Sequence, residues 1–98
     1  LVTEQEARDM KTAITGFEDR DELAAQTQFN ADLATAERWF NTLNIDIQGA
    51  TTRTEALSNF NQIESLNQSE TDRFRLMVLG KKLREANEKY KQVKRVNP

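Results

Sequence analysis

The chain has 98 residues, 31% of them charged and 37% hydrophobic, which allows one small domain at most. It contains neither Cys nor His, which excludes disulfides, the usual zinc sites and catalysis by thiol or imidazole. The formal charge of −2 hides a segregation: residues 1–72 carry five Lys/Arg and fourteen acids, whereas residues 73–98 carry nine Lys/Arg and two acids.

Leu, Ile, Val and Phe number 22, just above the roughly 20% below which chains tend to stay disordered. A core this lean, without covalent or metal staples, points to stability from helix packing and from a partner chain. The longest apolar run, Leu76-Met77-Val78-Leu79, is far too short to span a membrane. No signal-peptide pattern is visible, and the opening Leu1 points to a processed product or an excised piece. Localisation stays open.

The only proline is Pro98 and the only glycines are Gly16, Gly49 and Gly80, so long helices are expected. A first helix is predicted over 4–17, capped by Thr3 with Glu6 at capping-box spacing. Ala7, Met10, Ile14 and Phe17 form its apolar face. Gly16 and the run Glu18–Glu22 predict a break, after which Asp19 or Asp21 caps a second helix over 20–43. Phe29, Leu33, Ala36, Phe40 and Leu43 step by three and four along it, with Leu23 upstream and Trp39 beside the seam as a core residue.

Residues 44–52 form the main loop, where Gly49 is free to take positive φ and Ile45 and Ile47 tuck over the end of the helices. Thr52 and Glu55 repeat the capping-box spacing and start a third helix over 53–67, with Ala56, Leu57, Phe60, Ile63 and Leu66 toward the core. Asn67-Gln68-Ser69 offers a break, with Ser69 as cap and Asp72 as first-turn acid. A helix running through from 53 competes with it, because Asn and Gln cost only tenths of a kcal/mol inside a helix.

The last helix, 69–95, divides in two. Phe74 to Leu79 is apolar on nearly every side and reads as core. From Leu83 onward only a stripe remains: Leu83, Ala86, Tyr90 and Val93, ringed by Lys81, Lys82, Arg84, Lys89, Lys91, Lys94 and Arg95. The expected architecture is an all-α, antiparallel bundle of three to four helices with an extended C-terminal helix. Its body covers 3–82, and a basic amphipathic arm covers 83–96.

Candidate chemistry is scarce. Asp19 and Asp21 have the first two spacings of a calcium loop, but Leu23, Ala24 and Asn30 stand at the later ligand and glycine positions, so no metal site is read. Ser58, Ser65 and Ser69 lie in an Asn/Gln-rich stretch without a glycine elbow, and no glycine loop could cradle a phosphate. No enzyme, cofactor or small-molecule ligand is indicated.

The segments Phe29-Asn-Ala-Asp32 and Glu37-Arg-Trp39-Phe40 resemble the first helix of a spectrin-type repeat. Leu57, Phe60, Ile63, Phe74 and Met77 fall roughly as that family's second helix would. The connecting loop is short for the family and its third helix is missing, so the likeness is one of architecture only.

The sequence thus predicts a non-catalytic interaction or assembly module, binding a protein partner or its own copy through Leu83, Ala86, Tyr90 and Val93. The seven cations around them are candidate electrostatic contacts. The alternative is a small nucleic-acid-associated or regulatory protein using the basic helix, weakly supported because Tyr90 is its only aromatic and lies on the apolar seam.

Overall fold

A computed structural model describes the backbone of residues 4–96 and the side chains of residues 20–96. Most of the described residues are helical, and none forms a strand. Helix α1 spans Glu4–Thr42, α2 spans Arg53–Ser69 and α3 spans Arg73–Val96. The chain divides into two compact units, residues 1–31 and 32–98.

The first unit is the leading part of α1. The break expected near Gly16 does not occur, and the two helices expected over 4–17 and 20–43 are one. A lone glycine costs a helix about 1 kcal/mol, which a long continuous element absorbs unless the chain turns into the left-handed region. No glycine here has positive φ. Positions 19 and 21 therefore lie inside a helix and not at its start. Leu23 is mostly exposed and does not extend the seam. The Thr3 cap and the Ala7, Met10, Ile14 and Phe17 face fall outside the described side chains.

The second unit holds the core. Ala36 and Phe40 from the end of α1, Ile47 from the loop, Ile63 from α2, and Val78, Leu79 and Ala86 from α3 form one buried cluster. Leu33, Trp39, Leu43, Ile45, Phe60, Leu66, Phe74 and Leu83 pack around it. Helices α2 and α3 pack against one another. Ile63 and Leu79 are completely buried, one from each helix. Met77, expected within an all-round apolar core segment, is exposed instead.

Local chemistry explains the ends. Helix α1 stops where Asn44 takes the left-handed conformation at φ 56°, which Asn tolerates better than most residues. The stop falls where the end of the apolar period places it, whereas Gly49, free to take positive φ, does not take it. Gly49 instead donates its N–H to Asp46 Oδ1 at 2.9 Å, and a Cβ there would strike the same carboxylate. Ile47 and Ala50 from this loop are buried, and Asn59 Nδ2 ties the loop to α2 by donating to the Asp46 carbonyl at 3.0 Å.

At the start of α2, Thr52 Oγ1 accepts from Glu55 N–H at 3.2 Å. The Glu55 carboxylate reaches back to the N–H of Thr51, one residue before the usual partner, at 3.0 Å. The break after α2 is real, but its chemistry differs from expectation. Ser69 ends α2, its hydroxyl donating to the carbonyls of Ser65 and Leu66. Glu70 is extended and its carboxylate accepts from the N–H groups of Thr71 and Asp72. Asp72 is the cap of α3, with Oδ1 accepting from Phe74 and Arg75 N–H at 2.9 Å each. This three-residue link puts Ile63 and Phe74 on different helices, whereas the likeness to a repeat assigned them to one.

Candidate functional site

Helix α3 carries the residues that the sequence nominates, and their surroundings differ along it. Ala86 and Val93 are buried, at 1% and 6% exposure. Leu83 packs against the central cluster and Tyr90 is half-buried. Ile47 and Ala86 belong to the same buried cluster, so the loop between α1 and α2 and the middle of α3 share one core. Residues 83–96, set apart from the body by their pattern, lie in the same compact unit as 32–82.

The cations separate into two groups. Lys81, Arg84, Lys91, Lys94 and Arg95 are exposed, and Lys82 and Lys89 are half-buried. Lys82 Nζ lies 5.3 Å from the centre of the Phe40 ring and 3.5 Å from Glu85, so it joins α3 to the end of α1. Lys91 pairs with Glu88 at 3.5 Å. Arg75, which the sequence does not single out, lies 4.5 Å over the Trp39 ring and 4.0 Å from Glu70. Such stacking secures the face of a half-buried indole and is worth about 0.5–1 kcal/mol where water reaches it. Lys82 and Arg75 thus help to hold the fold, while Lys81, Arg84, Lys94 and Arg95 are exposed.

Gln48 of the loop and the rear of α3 border a hollow of roughly 530 Å³. Arg84, Lys89, Lys91 and Arg95 line it together with Glu85 and Glu88, so its charge is mixed. Among the described residues no polar or charged side chain is buried, and no group of three or more acids could hold a metal ion.

A second surface was not nominated from sequence. Leu43, Ile45, Leu57 and Leu66 form the apolar part of an open groove of roughly 790 Å³ beside α2. Leu57, expected in the core, is 45% exposed there. The other lining residues are Thr, Ser, Asn and Gln, with no charged side chain. The signal was present as a second periodicity: Thr54, Ser58, Asn61, Ser65 and Gln68 step by four and three on the outer face of α2, all exposed and uncharged. An apolar search passes over such a strip because none of its members is hydrophobic.

No described protein family, curated protein or solved structure matches this chain.

Proposed function

We propose that the protein is a non-catalytic interaction or assembly module, built as a small antiparallel three-helix bundle. Its docking surface is the groove on α2, and the basic face of α3 serves as an electrostatic contact. The open groove carries this reading, because its leucines and isoleucine stay in contact with water until something covers them. The Leu83–Val93 seam is not carried forward as the docking surface, since a partner could reach Ala86 or Val93 only by opening the chain.

The test is photo-cross-linking in extract of the native source, with the reactive group placed at Leu57 and separately at Lys94. The reading expects a discrete protein adduct, own copy included, from position 57. A chain that yields no adduct at position 57 overturns it.

A second reading rests on the exposed cations of α3 from Lys81 onward: Lys81, Arg84, Lys91, Lys94 and Arg95. They suit a phosphate backbone. A salt titration against duplex and single-stranded oligonucleotides decides: phosphate contacts produce a steep log-linear loss of affinity. Absence of binding at low salt overturns this alternative.

A further inference from the structure

We infer that the occupant of the α2 groove is a second copy of this chain, docked about a two-fold axis through the outer face of α2. This rests on the reading of that groove as a docking surface and names its partner. A two-fold contact sets the same surface of both copies against each other, so charged residues near the axis meet their own kind. Like charges brought together across an interface oppose association. A self-contact therefore favours a surface without charge.

In residues 32–98 the outer face of α2 meets this condition. Thr54, Ser58, Asn61, Ser65 and Gln68 form an exposed, uncharged strip in a chain of which 31% is charged. The strip extends about 21 Å at the helical rise. Glu55 and Glu64 lie only at its margins. Helix α3, by contrast, presents exposed cations that would repel a second α3. The end of α1 exposes Glu37 and Arg38. Thr54, Ser58 and Ser65 are short side chains that leave room for a second helix, while Leu57 and the apolar groove supply area to remove from water. A formal net charge of −2 leaves little long-range repulsion between copies.

The experiment is sedimentation velocity on the full chain from micromolar to millimolar concentration, with the double variant Leu57→Lys, Asn61→Lys beside it. Both sites are exposed and lysine is a good helix former, so helicity should match the parent. The parent should approach twice the chain mass, and the variant should shift the monomer–dimer midpoint upward at least about tenfold.

Because the chain has no cysteine, single-cysteine variants give an independent readout. Under mild oxidation Asn61→Cys should form disulfide-linked dimers faster than Lys94→Cys. A monomeric parent at every concentration overturns the inference, as does a dimer indifferent to the two lysines, or one that cross-links preferentially through position 94. An adduct from position 57 that contains only a different protein also overturns it, and leaves the docking reading standing.

Discussion

Helices α2 and α3 bury similar inner faces and present opposite outer ones. Each contributes a completely buried aliphatic side chain, Ile63 from α2 and Leu79 from α3. Outside, α2 exposes Thr, Ser, Asn and Gln around Leu57, whereas α3 exposes Lys and Arg. In the apolar seam that looks most like a docking stripe, on the rear of α3, Ala86 and Val93 are buried and Leu83 and Tyr90 are half-buried. The surface that looks inert, on α2, is the one left with an apolar groove. A stripe becomes a docking surface through what fails to cover it, and its own periodicity does not report that.

The comparison breaks most visibly if the rear of α3 is removed. Truncation after Lys82 deletes the buried Ala86 and Val93 and uncovers the loop around Ile47. Circular dichroism should show loss of cooperative unfolding in 32–82. A truncated chain that melts like the parent would show the rear of α3 to be dispensable.

Next come the paired core substitutions. Ile63→Ala and Leu79→Ala should each cost about 2–5 kcal/mol, the range for large-to-small changes in fully packed cores. Urea denaturation would measure both. A small loss at one position and a large loss at the other would show that the two inner faces are not equivalent.

The helix starts are expected to contribute less. Asp72→Ala removes the acceptor for two N–H groups of α3 and should cost about 1 kcal/mol, whereas Asp72→Asn should retain most of the stability. Thermal melts of the two variants check this directly. A smaller effect of opposite sign belongs to Gly80 inside α3, where a Cβ would meet nothing within 4 Å. Gly80→Ala should stabilise by about 0.5–1 kcal/mol, read as a higher urea midpoint.

Much of this arrangement was legible from residue pattern. The three-and-four spacing of Leu33, Ala36, Phe40 and Leu43 marked the end of α1. The Thr52–Glu55 spacing marked the start of α2, and Ile47 was rightly expected to tuck into the core. The break at Gly16 was not real because glycine weakens a helix without ending it. The positive φ falls at Asn44, where the helix ends, and not at Gly49, since the left-handed residue is set by the local turn as well as by residue type. The cover over Ala86 was illegible for a different reason. Ala86 is buried in one cluster with Ile47, which is distant in sequence and lies in a segment with no helical period.

The most direct test of the account compares two neighbouring positions on α3. Ala86 is 1% exposed and Asn87 is exposed, so Ala86→Cys and Asn87→Cys differ in setting but share the same helical turn. Thiol labelling of the native chains should be at least about a hundredfold slower at position 86, because labelling there waits for local opening. The difference should vanish in denaturant. Equal native rates at the two positions would contradict the account and return the Leu83–Val93 seam to the solvent.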